Sequence, residues 1–224
     1  MRTTLFVTLA SAFALASCFA PSGRAPDASV KKAAEEAMKE KSVLVMGDSL
    51  TAGYQLPPES SYPAQLEKLL KAEGYRYRVT NAGVSGDTSA GLLERADWLL
   101  SDPLPSLVVL CIGSNDGLQG LSPEQMDKNV RAIVDKIQSR GVPVALIGVK
   151  IPRNLGADYV AKFEAVHPKI AKDEKLPFLP FLLEGVAKDP KLTLGDGLHP
   201  NADGYAIVAK NVLEFLKKER LVTK

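Results

Sequence analysis

The stretch SVLVMGDSLTAGY, residues 42–54, changes character at a single residue. Ser42 to Met46 is a short apolar run, and it stops at Gly47-Asp48-Ser49. A short apolar run cut off by glycine predicts a strand buried on both faces, followed by a polar loop. The pattern recurs along the chain. Tyr75 to Asn81 ends at Ala82-Gly83, Leu107 to Ile112 ends at Gly113, and Val144 to Val149 ends near Lys150; Leu176 to Phe181 is a shorter fifth candidate. Between these runs lie stretches of helical period: Tyr62 to Glu73, Ser89 to Leu100, Ser122 to Arg140, Ala157 to Lys172 and Ala202 to Lys218. Ser122-Pro123-Glu124 is a good helix start, and Gly141 follows the end of that helix. Continuously apolar strands alternating with helices predict an α/β fold, with a parallel sheet covered on both faces. In such sheets a site forms beyond the carboxyl ends of the strands.

Composition agrees with one ordinary folded domain. The chain has 224 residues, 46% hydrophobic and 24% charged, and a net charge of +2. That excludes a disordered protein and a small disulfide scaffold. Charges of both signs are interleaved, so no nucleic-acid footprint is expected. With two histidines and two cysteines, a multi-histidine or cysteine-based metal centre is not expected, and no cofactor is required.

The chain divides into residues 1–17, 18–41 and 42–224. The first segment has one charge, Arg2, and an apolar run from Thr4 to Ala16. The run is shorter than the roughly 20 residues of a membrane span and has the form of a secretory signal. Leu15-Ala16-Ser17-Cys18 resembles the lipobox of bacterial lipoproteins, in which the cysteine is acylated. A lipidated Cys18 predicts an envelope protein held at a membrane by its N-terminal anchor and facing the periplasm. An ordinary cleavage site, giving a soluble exported protein, is the alternative. Residues 18–41 read as a linker and a stalk helix, Val30 to Lys41. Cys111, inside an apolar run, reads as a buried free thiol.

Polar, glycine-rich clusters fall at the ends of the predicted strands. They are Gly47-Asp48-Ser49, the block from Asn81 to Thr88, Gly113-Ser114-Asn115-Asp116, and Asp196-Gly197-Leu198-His199-Pro200-Asn201 near the C-terminus. Ser49 is a nucleophile if a base takes its proton, His199 is a suitable base, and Asp196 is close enough to orient it. The N–H groups of Ser49 and Gly83 and the side-chain amide of Asn115 are candidate donors to an oxyanion. Together these residues are the parts of an acyl hydrolase. Asp48 and Asp116 read as structural acceptors, His167 as a surface or hydrogen-bonded histidine, and Trp98 as core packing.

These blocks resemble the SGNH hydrolases, also called GDSL-family esterases and lipases. Ser49, Gly83, Asn115 and His199 match the four residues in the family's name, in order. More narrowly, the chain is similar to bacterial thioesterase I/lysophospholipase L1 enzymes and arylesterases, from about Ser42 to Leu216. The resemblance implies a three-layer α/β/α fold with a flavodoxin-like, mostly five-stranded sheet. It implies hydrolysis of acyl esters or thioesters, lysophospholipids among them. Ile151-Pro152-Arg153-Asn154-Leu155-Gly156 also matches, but Ser114 and Leu155 stand where relatives often carry Gly and Tyr. Leu118, Leu121, Ile151, Pro152 and Leu155 are expected at the active edge, as an acyl groove or as ordinary packing. No Gly-x-Ser-x-Gly elbow surrounds Ser49, which argues against the α/β-hydrolase fold. The alternatives are a carbohydrate O-acetylesterase of the same superfamily and a non-hydrolytic lipid-binding lipoprotein.

Overall fold

In the computed structural model, residues 41–224 are described. The N-terminal signal, Cys18 and most of the stalk lie outside them. Five strands form one parallel sheet in the order β2-β1-β3-β4-β5. They are β1 (Lys41–Gly47), β2 (Tyr77–Gly83), β3 (Leu107–Cys111), β4 (Val144–Ile147) and β5 (Phe178–Leu179).

Of the three central strands, β3 and β4 are apolar and buried throughout, and β1 is buried from Val43 onward after Lys41 and Ser42 at its start, as a sheet covered on both faces requires. The edges are blunted: β5 has two residues, and β2 exposes Arg78 and Thr80. The helices are α1 (Ser49–Ala52), α2 (Tyr62–Ala72), α3 (Ser89–Leu99), α4 (Ser114–Leu118), α5 (Pro123–Gln138), α6 (Ala157–Glu164), α7 (Val166–Asp173) and α8 (Ala202–Lys218). Helix α2 packs against α8, while α3 and α7 pack against α5. Each long helix turns one apolar stripe inward, such as Met126, Val130, Ile133 and Ile137 of α5.

Register places the site. Gly47 pairs with Gly83 on one side and with Cys111 on the other, so β1, β2 and β3 end in one row. The chain runs from β1 outward to β2, then crosses back to β3 on the far side of β1. The loops after β1 and β3 diverge there and open the crevice expected at a switch point.

Two expectations are corrected. The helix expected over 157–172 is two helices that meet at Ala165. Pro168 cannot donate to the Glu164 carbonyl, and its ring crowds that carbonyl. Trp98 is 74% exposed rather than core. The buried positions of α3 are Ser89, Leu92 and Ala96, and Trp98 lies about 200° around the helix from Ala96. His167, read as a surface or hydrogen-bonded histidine, is the latter: it is fully buried, with Nε2 3.0 Å from the Ile112 carbonyl.

Candidate active site

The end of β1 turns tightly into α1. A Cβ on Gly47 would lie 2.2 Å from Thr51 Oγ1 and 2.5 Å from the Cys111 carbonyl, so only glycine fits. Asp48 caps α1 by accepting the Leu50 N–H at 3.0 Å, as its reading as a structural acceptor anticipates. Burial pushes the Asp48 carboxyl up to about 6, against the Leu50 N–H and the Ser114 groups that favour its charged form. Ser49 opens the helix and is buried, with 8% of its surface exposed.

His199 comes from the loop between β5 and α8. That loop is closed on itself by the Thr193–Pro200 bridge and by the Leu194 N–H on the His199 carbonyl at 2.7 Å. His199 Nε2 lies 2.8 Å from Ser49 Oγ, and Nδ1 lies 2.7 Å from Asp196 Oδ2. A carboxylate only accepts, so the proton sits on Nδ1 and Nε2 is left to accept from Ser49. Asp196 Oδ1 accepts the N–H groups of Leu198 and His199 at 2.8 and 3.0 Å. Desolvation alone would raise the Asp196 carboxyl. The His199 and Leu198 N–H groups and the imidazole outweigh it and hold the carboxyl below its usual range. The Tyr54 ring packs on the imidazole, with centroids 4.5 Å apart. Sequence reasoning did not single out Tyr54 for this contact, although it lies in the stretch that follows Ser49.

Asn115 lies in α4, directly beyond β3. One N–H of its amide donates to the Asp87 carbonyl at 2.8 Å, which fixes the amide and leaves its second N–H. Asp116 is buried and accepts from the Ser89 N–H and hydroxyl; Asn129 in turn donates to the Ser89 hydroxyl. His167 Nε2 meets the Ile112 carbonyl at 3.0 Å, just before this loop, and burial lowers its pKa to about 4.

Gly83 requires correction as an oxyanion donor. Its N–H already donates to Asn81 Oδ1 at 2.9 Å, and a Cβ there would lie 2.3 Å from the Ala52 nitrogen. Its glycine serves the close approach of β2 to α1. Gly86, three residues on, has a left-handed φ of 86° and open space around it. Among the described residues the N–H groups of Gly86 and Ser49 meet no acceptor. The string Ser85-Gly86-Asp87 carried a turn signal, but only the closed turn shows which N–H is left over.

The apolar candidates divide. Leu118, Leu121 and Leu155 are exposed, and Pro152 is exposed beside them. Tyr159 anchors the Leu121 loop by donating its hydroxyl to the Leu121 carbonyl at 2.7 Å. Ile151 is buried, with Cγ2 only 2.4 Å from where a Gly117 Cβ would stand, and so packs beneath α4 rather than lining an open groove. Val84 and Leu198 are further exposed apolar side chains on the site loops. Among the described residues, no group of three or more His, Cys, Asp or Glu is placed to hold a metal ion, and no helix is long and apolar enough to cross a membrane.

The chain is similar to known proteins in sequence and in fold. The profile of the GDSL-like lipase/acylhydrolase family matches residues 45–207. Esterase TesA of Pseudomonas aeruginosa is 40% identical over 177 residues, covering 79% of this chain and 88% of that protein. Thioesterase 1/protease 1/lysophospholipase L1 of Escherichia coli is 36% identical over 167 residues, covering 75% of this chain and 79% of that protein. A crystal structure of the psychrotrophic esterase EstA from Pseudoalteromonas, inhibited by monoethylphosphonate, superposes with a TM-score of 0.77 at 32% identity, covering 80% of this chain and 98% of that one.

Proposed function

The chain belongs to the GDSL-like lipase/acylhydrolase family and is a carboxylic ester hydrolase, and we propose that it works through an acyl-enzyme on Ser49. The observation that carries this reading is the unbroken relay from Asp196 through His199 to Ser49, at 2.7 and 2.8 Å. His199 Nε2 takes the Ser49 proton as Oγ attacks the ester carbonyl carbon. Asp196 steadies the imidazolium that forms. The Ser49 N–H, the Gly86 N–H and the free amide N–H of Asn115 receive the developing oxyanion. His199 then protonates the leaving alcohol or thiol. Water enters and gives its proton to the same nitrogen as its oxygen attacks the acyl carbon; the bond to Ser49 Oγ then breaks, His199 returns the proton to Oγ, and the acid leaves.

The substrate class is an acyl ester, with thioesters and lysophospholipids within reach of the same chemistry. Exposed Leu118, Leu121 and Leu155 beside the crevice support an acyl chain over a bare acetyl group. Hydrolysis of p-nitrophenyl acetate, butyrate, octanoate and palmitate, with Ser49→Ala as control, tests this. The expected result is Ser49-dependent turnover that peaks at medium or long chains. Turnover of acetate alone would make the protein a deacetylase, and turnover independent of Ser49 would refute the mechanism.

The N-terminal sequence supports export, with Cys18 acylated as a membrane anchor. Labelled palmitate is expected to enter the protein in cells and to be lost in Cys18→Ser. Equal labelling of the variant would refute the anchor.

A further inference from the structure

We infer that Arg95 is a positioning residue whose guanidinium holds the oxyanion donors in one register. The inference rests on the donor set proposed above. Arg95 lies in the middle of α3 and does not touch the triad. Its Nε donates to Asp87 Oδ2 at 2.8 Å, and its Nη2 donates to the Gly47 carbonyl at 3.2 Å. Both side chains are largely shielded, at 21% and 10% exposure, so water screens the pair little.

Each contact reaches a different part of the oxyanion site. Gly47 stands two residues before Ser49, and its carbonyl also accepts the Val84 N–H at 3.1 Å. The Asp87 N–H closes the turn around Gly86 by donating to the Val84 carbonyl at 3.1 Å. The Asp87 carbonyl is the acceptor that fixes the Asn115 amide at 2.8 Å. One planar cation therefore ties the β1–α1 loop to the β2–α3 loop, and through Asp87 it sets the amide presented by α4. A lysine offers a single point charge and cannot span two acceptors in a fixed fork.

Gly91 supports the same assignment. A Cβ there would lie 2.1 Å from Asp87 Oδ1. The helix is open at this position, one turn before Arg95, and the opening lets the Asp87 carboxylate reach the guanidinium.

Arg95→Met, Arg95→Lys and Gly91→Ala test the inference, with kcat measured per active site titrated by an alkyl phosphonate. Loop displacement is expected to lower kcat about 10- to 100-fold in Arg95→Met and Gly91→Ala, with KM nearly unchanged. The affinity of an alkylboronic acid, which forms a tetrahedral adduct on Ser49, should fall in the same proportion. Arg95→Lys should recover only part of the loss. In an Asn115→Ala background, Arg95→Met should add less than about a threefold loss, because the amide it positions is gone. Alanine favours a helix over glycine, so Gly91→Ala decides the matter if Arg95→Met fails to fold. Wild-type kcat per titrated site in Arg95→Met or Gly91→Ala would overturn the inference. Full kcat in Asn115→Ala alone would instead remove the donor set on which it rests.

Discussion

Replacing His167 with glutamine should make the protein more resistant to acid. The imidazole is fully buried, and burial lowers its pKa from 6.5 to about 4. Between those values the unfolded chain binds a proton that the folded protein refuses, so stability falls as pH drops through this window. At pH ~4.5 the two values correspond to a penalty of about 2.5 kcal/mol, and at pH ~7 to almost none. The glutamine amide keeps an N–H donor near the position from which Nε2 reaches the Ile112 carbonyl, and it cannot titrate. Urea unfolding of both proteins at neutral and acid pH measures the effect. The stability of His167→Gln relative to wild type should rise by about 2.5 kcal/mol on acidification, or roughly 5–10 °C in Tm for a domain of this size. A difference that stays constant with pH would refute the buried, neutral histidine.

Asp48 opposes His167. Its carboxyl is raised from 3.8 to about 6, so the folded state holds the extra proton and stability rises as pH falls between those values. Asp48→Asn keeps the helix cap and should lose about 2 kcal/mol relative to wild type between neutral pH and pH ~4.5, measured by the same unfolding. No such change would mean that the carboxyl is not strained by burial. Asn115→Ala should lower kcat by about 10²–10³ with little change in KM in steady-state ester hydrolysis. Gly83→Ala should lower stability by about 2 kcal/mol or more, because its Cβ would meet the backbone of α1, and calorimetry would show it. An unchanged Tm would put room where the packing has none.

The fold was legible because buried parallel strands leave a strong local mark. Val43 to Met46, Leu107 to Cys111 and Val144 to Ile147 are continuously apolar and end at small or polar residues. Periodicity says nothing about which strand lies beside β1, so the strand order was legible only through the resemblance to a flavodoxin-like sheet, whose order the structure has. The relay was legible for a different reason. Asp196 and His199 are neighbours in sequence, and the nucleophile follows the first strand. Gly83 and Gly86 could not be separated in this way. Which N–H remains unpaired depends on the Asn81 side chain and on the turn that Asp87 closes. The helix break at Ala165 was readable from Pro168, whereas the exposure of Trp98 depends on which face of α3 Leu92 and Ala96 bury. Arg95 was invisible for the same reason as Gly86. Its two acceptors, at Gly47 and Asp87, are brought together only by the parallel register of β1 and β2.

Covalent capture of the nucleophile tests the central claim most directly. The related EstA structure is described as inhibited by monoethylphosphonate. The protein should be treated with an alkyl phosphonate ester and its peptides mapped by mass spectrometry, with residual ester hydrolysis followed in parallel. The account predicts one adduct per chain, on Ser49, with activity lost in step with labelling and no adduct in Ser49→Ala. Labelling at another residue, or full activity in chains carrying the Ser49 adduct, would contradict it.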